Sequence, residues 1–188
     1  MNSAAQTRLQ RAAAARVLLL LHAKGDLENP SLWTWDAVDL LPAWCLASEQ
    51  TRSQLQLVSG TMYLSPDIRL WLDQSALVAV QTLIGDAVFE RIMNQADAMQ
   101  LPRESASLII RNAGIDPSNA SAEAICELLM AAGSNVLRAT VHPSLPREML
   151  SASLGPAIGD INEAAANVLL DAAQALIDTS HTSESAAS

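Results

Sequence analysis

Apolar side chains recur along much of this chain at spacings of three and four, the period at which a helix stacks them on one face. From Ser75 to Met99 the recurring positions are Leu77, Val80, Ile84, Val88 and Ile92, opposite a row of Thr82, Asp86, Glu90 and Asn94, which predicts one long amphipathic helix. From Pro156 to Asp178 the apolar stripe is Ile158, Ile161, Ala165, Val168, Ala172 and Leu176. The polar stripe there is Asp160, Glu163, Asn167, Asp171, Gln174 and Asp178. Between these segments, Ala122 to Thr140 places Ile125, Leu128, Leu129, Ala132, Val136 and Leu137 on one face. On this pattern Leu83→Asp and Val168→Asp should each bury a charge and unfold the chain, whereas Asp171→Ala should be nearly neutral.

The first half is less regular. Ala4 to Ala23 is rich in good helix formers and stops at Lys24-Gly25-Asp26, so a helix is expected there. After turn chemistry at Glu28 to Ser31, a short helix carrying Trp33, Trp35, Val38, Leu40 and Leu41 should end at Pro42. Another is expected from Ala43 to about Val58, closed by Ser59-Gly60. Several later starts place a proline early in a helix, where its missing N–H has no partner to lose: Ser65-Pro66, Leu101-Pro102, Asp116-Pro117, Leu145-Pro146 and Gly155-Pro156. Strand-like alternation is missing apart from the ambiguous Leu108-Ile109-Ile110. The expected fold is all-α: a single compact domain over residues 1–179, of about seven to nine helices with short loops. Residues 180–188, small and polar, are expected to form a disordered tail.

Composition narrows the function classes. With 50% hydrophobic and 16% charged residues, 188 residues suffice for a cored globule. The net charge of −9 argues against a nucleic-acid groove. The apolar run after Arg16 is too short for a secretory signal, and no stretch reaches the length of a membrane span. A cytosolic location is therefore expected. Cys45 and Cys126 each sit in an apolar helical pattern and are expected to be buried free thiols.

Candidate chemistry is sparse. His22, His142 and His181 lie far apart, without the spacing of a zinc site, and no nucleophile elbow, phosphate loop or dinucleotide fingerprint is present. Asp86 and Glu90, like Asn167 and Asp171, could in principle share a proton or a cation, but a solvated helix face explains them better, because they lie opposite the apolar stripe. Neither catalysis nor a cofactor is expected. Trp33, Trp35, Trp44 and Trp71 make up four of the six aromatics and could be core anchors, a partner surface or both. The acidic stripe of Asp160, Glu163, Asp171 and Asp178 is a solvated face or a docking surface for a basic partner.

Leu41-Pro42-Ala43-Trp44 ahead of a helix, Arg52, Leu64-Ser65-Pro66-Asp67-Ile68-Arg69 and Leu83-Ile84-Gly85 together carry a resemblance. In these motifs, over roughly residues 30 to 100, the chain resembles the SctK family (YscK, OrgA and their Hrp and rhizobial counterparts), helical accessory subunits of the type III secretion sorting platform. The resemblance implies a non-enzymatic cytoplasmic adaptor at the cytosolic face of the inner membrane. Its implied partners are the ring protein SctD and the pod protein SctQ; the resemblance assigns no residue a role, and Trp33, Trp35, Trp44 and the Arg69 neighbourhood are expected on their own chemistry to shape a binding face, with Asp160, Glu163 and Asp171 as further candidates. The alternative is a helical domain that binds a small apolar ligand or a secretion substrate, with Met62, Met93, Met99 and Met130 around a pocket.

Overall fold

The computed structural model describes residues 11–12, 15, 39–95, 110, 120–145, 150–151, 154–155 and 159–186. Among them lie six helices and no strand: α1 Ala43–Leu46, α2 Glu49–Ile68, α3 Gln74–Ile84, α4 Asp86–Gln95, α5 Ala122–Ala139 and α6 Glu163–Ala186. The all-α class is thus as the sequence predicts. Of the helix expected over Ala4–Ala23 only residues 11, 12 and 15 are described, and these are helical; the starts at Pro102 and Pro117, and the segment Leu108 to Ile110 except its last residue, lie outside the described residues. The chain divides into two compact units, one of Met1–Arg52 with Val141–Ser153, the other of Ser53–Thr140 with Leu154–Ser188.

In the first unit, Pro42 precedes α1 and its carbonyl accepts from the Cys45 N–H at 3.0 Å. Ala47 turns extended and ends the helix after one turn. Ser48 then starts α2, its hydroxyl accepting from the Thr51 N–H at 3.1 Å. Trp44 and Cys45 are buried, as are Leu41, Val141, Leu145 and Leu150. Arg11 clasps Asp39 through Nη2 to Oδ2 at 2.9 Å and Nε to Oδ1 at 3.3 Å, and this guanidinium holds the Asp39 carboxyl below its ordinary range. The pair is exposed, where an ion pair adds little to stability.

In the second unit, α2 departs most from expectation. It does not stop at Ser59-Gly60, nor does a helix start at Ser65; the helix runs unbroken through both, with Pro66 inside its last turn. Gly60 instead lets α2 meet α5 backbone to backbone: a Cβ there would lie 2.8 Å from Gly133 N and 3.0 Å from Leu129 C. Gly133 reciprocates, since its Cβ would lie 2.6 Å from Gln56 C and 2.7 Å from Gln56 Cα. Pro66 is tolerated for a second reason. Without an N–H it cannot bond the Met62 carbonyl four residues back, and the Ser65 hydroxyl donates to that carbonyl at 2.8 Å instead. Residues 58–65 are all buried, so α2 is enclosed on every side there.

The crossing also encloses a small polar group. Gln56 Nε2 donates to Ser134 Oγ at 3.0 Å, and the Ser134 hydroxyl faces the carbonyls of Met130, at 2.8 Å, and Leu154. These bonds offset the desolvation of side chains buried where apolar residues would otherwise pack.

The helix expected over Ser75–Met99 is two helices. Gly85, at φ 86°, separates α3 from α4 in a backbone conformation that other residues rarely adopt. Val80, Val88 and Ile92 of the expected stripe are buried, while Leu77 and Ile84 are half-buried. Asp73 caps α3, its Oδ1 accepting from the Ser75 N–H at 2.7 Å, the Ser75 hydroxyl at 2.5 Å and the Ala76 N–H at 3.4 Å. Ser121 caps α5 through the Ala124 N–H at 3.2 Å, and the six apolar residues expected on its face are all buried.

Two expectations for the C-terminal region change. The helix expected from Pro156 begins at Glu163, with the Asn162 side chain accepting from the Ala165 N–H at 2.8 Å. It continues to Ala186, through most of the segment expected to be a tail. Its buried stripe is Ala166, Leu169, Ala173, Leu176 and Ile177, whereas Val168 is 60% exposed. The expected face is therefore rotated by about one residue, roughly 100°. α5 packs against α3 and α6, and α4 against α3 and α6.

Candidate functional site

The hydrogen bonds at the Asp73 cap, from the Ser75 hydroxyl first and then the Ser75 N–H, hold its carboxyl below the ordinary range. A lowered carboxyl stabilises the fold at pH above its unfolded value, and the contribution disappears as pH falls through the folded one. An Asp73→Asn variant should therefore lose less stability than the parent on acidification below about pH 4. Thermal melts of the two chains across that range check this, and parallel losses would count against the cap.

This cap ends a turn that stands out on the second unit. After α2, the Leu70 N–H bonds the Asp67 carbonyl at 2.8 Å and the Trp71 N–H bonds the Ile68 carbonyl at 3.1 Å, so the helix tightens and stops. The chain then presents Arg69 and Leu70, half-buries Trp71 and presents Leu72 before Asp73 begins α3. Leu70 is 76% exposed and Leu72 is 101% exposed. One turn into α3, Val78 is 47% exposed. Three large apolar side chains within nine residues make the most concentrated exposed apolar stretch among the described residues.

Trp33 and Trp35 lie outside the described residues. Trp44 is only 2% exposed and belongs to the core of the first unit, so its indole is not offered to a partner. Arg69 is exposed beside Leu70, while Asp160, Glu163 and Asp171 are exposed on α6 or its approach. Leu70 and Leu72 are the residues that sequence reasoning missed. Their signal is the run Arg69-Leu70-Trp71-Leu72-Asp73, apolar at consecutive positions yet placed between two helices.

Other chemistry is structural in character. His142 Nδ1 lies 2.6 Å from Ser144 Oγ and accepts from the Ser144 N–H at 3.3 Å, an exposed local turn. No group of three His, Cys, Asp or Glu side chains is placed to hold a metal ion among the described residues. Asp86 and Glu90 are exposed, and Gln174 Nε2 donates to Asp178 Oδ1 at 2.9 Å along the outside of α6. Among the described residues no helix is long and apolar enough to cross a membrane.

Both cysteines are free. Burial pushes the Cys45 thiol up to about 12. Cys126 is only half-buried, a departure from the expected burial, and its thiol is raised by desolvation and then by Glu127 and Glu123. Since the thiolate is the nucleophile, both should alkylate slowly in the native protein at neutral pH. Cys126 should react before Cys45, and both rapidly after unfolding, as peptide-resolved iodoacetamide labelling would show. Fast native labelling of Cys45 would contradict its burial.

The class defined by this architecture is an all-α protein whose candidate site is an exposed apolar turn. Comparison with protein-family models, with curated proteins and with solved structures finds no match for the chain.

Proposed function

We propose that the protein is a non-enzymatic adaptor of the type III secretion sorting platform, SctK-like, linking an SctD-like ring protein to an SctQ-like pod protein. The observation that carries the adaptor part is the exposed Leu70 and Leu72 beside Arg69, within the stretch that bears the family resemblance. Apolar side chains held out on a turn between two helices gain free energy only when something covers them. Supporting it further, the helical content matches what the family implies. In this reading the full chain forms about seven to nine helices. It acts in the cytoplasm and reaches the inner membrane only through its partners.

The test is co-expression of the tagged full chain with the cytosolic domain of the ring protein and with the pod protein, followed by affinity capture. Capture of either partner, weakened by a Leu70→Ala, Leu72→Ala double variant that melts like the parent, is the expected result. Capture of neither, or capture indifferent to the double variant, would overturn this assignment. A co-purifying small molecule seen by native mass spectrometry would redirect it toward ligand binding.

A further inference from the structure

Charge is unevenly divided between the two units. By sequence, the first contains six Asp and Glu against six Lys and Arg, and the second contains 14 against five, so the net charge of −9 belongs wholly to the second unit. Within that acidic unit the turn is bordered by the exposed Arg69, and from Leu70 to Gly85 the chain carries a single charged side chain, Asp73, whose carboxylate is occupied by capping α3. Leu70, Leu72 and Val78 lie exposed in this stretch, with Gln74, Ser75 and Thr82 as exposed uncharged neighbours.

The two helices packed on α3 are acidic on their exposed positions. α4 presents Asp86 and Glu90, and α5 presents Glu123 and Glu127. Arg91, the exposed cation of α4, donates to Thr179 Oγ1 of α6 at 2.6 Å. An exposed apolar stretch depleted of charge, in a unit whose neighbouring helices are acidic, has the composition of a protein interface rather than of an ordinary solvated helix.

The sign of the charge selects the occupant. A second copy would bring another unit of −9 against the first, and an anionic lipid surface would be repelled likewise. We propose that the Leu70–Leu72 turn and the Val78 side of α3 dock a basic amphipathic helix of another protein. Its apolar face covers Leu70, Leu72 and Val78, and its Lys and Arg side chains are attracted by the carboxylates of α4 and α5. The proposal deepens the adaptor reading by giving the chemistry of the partner.

The experiment titrates the isotope-labelled full chain with a short synthetic Leu/Lys amphipathic helix and with its Leu/Glu counterpart, following amide chemical shifts. Shifts centred on residues 70–78 with the Leu/Lys peptide and none with the Leu/Glu peptide are expected. Leu72→Asp, at a fully exposed position, should leave the fold intact and weaken binding roughly tenfold. That variant separates the proposal from mere charge attraction, because an added carboxylate would strengthen a purely electrostatic complex. Unchanged or tighter binding by Leu72→Asp, equal binding of both peptides, or shifts spread over the acidic surface would each overturn the proposal. So would a parent dimer, seen by light scattering, that Leu72→Asp disperses. No ring or pod protein enters this titration, so its failure leaves the adaptor reading to the capture experiment, and the converse also holds.

Discussion

Gly133→Ala is expected to destabilise the protein by about 3 kcal/mol or more, lowering its melting temperature by about 6 to 12 °C. In an open helix the same change would stabilise, because Ala is about 1 kcal/mol better than Gly in a helix interior. Here the added Cβ meets main chain: Gln56 C at 2.6 Å and Gln56 Cα at 2.7 Å. No rotamer change relieves a clash with backbone, so α2 and α5 must separate. Separation would also loosen Val58, Met62, Leu129 and Val136, all buried on these two helices, and stretch the bond from Gln56 to Ser134. Gly60→Ala should behave alike, since its Cβ would lie 2.8 Å from Gly133 N. Gly85→Ala should cost about 1 to 3 kcal/mol for a different reason: nothing lies within 4 Å of its Cβ, and the strain is that of φ 86° alone. Chemical denaturation of the three variants reads all of this, and a stabilised Gly133→Ala would refute the close crossing.

This crossing also shows where sequence reasoning stops. Gly and Pro near Ser residues are the commonest helix punctuation, and Ser59-Gly60 and Ser65-Pro66 have that form. What overrides them is tertiary. Gly60 answers to Gly133, some seventy residues away, and the Ser65 hydroxyl supplies a donor where Pro66 has none. Neither compensation is a local pattern. At Gly85 the reverse holds: an unbroken apolar period from Leu77 to Ile92 hides a break that only the backbone angle reveals. α5 was legible because its apolar residues form one stripe bordered by Glu123 and Glu127, leaving a single way to turn the helix. The apolar turn was not, since a period says which residues share a face and cannot say that a loop will hold Leu70 and Leu72 away from the core.

Along α6 the sequence fixes the period but leaves the phase open, and there a paired substitution has its largest expected effect. Ala164, Ala165 and Ala166 are consecutive, as are Ala172 and Ala173, so two stripes one residue apart score almost equally. The choice rests on the larger side chains. Leu169, Leu176 and Ile177 are the buried ones, with Leu169 at 0% exposure and its neighbour Val168 at 60%. Leu169→Asp would place an unpaired carboxylate where α6 meets α4 and α5 while removing an isobutyl group. The expected loss is about 4 kcal/mol or more, a large part of the roughly 5–15 kcal/mol that holds a domain together. Val168→Asp puts the same charge into solvent and should change stability by no more than about 0.5 kcal/mol, as should Asp171→Ala. Circular dichroism and urea midpoints separate the outcomes. A folded Leu169→Asp beside an unfolded Val168→Asp would turn α6 back to the face first read from the sequence, and would place Ala165 and Ala172 in the core instead of Ala166 and Ala173.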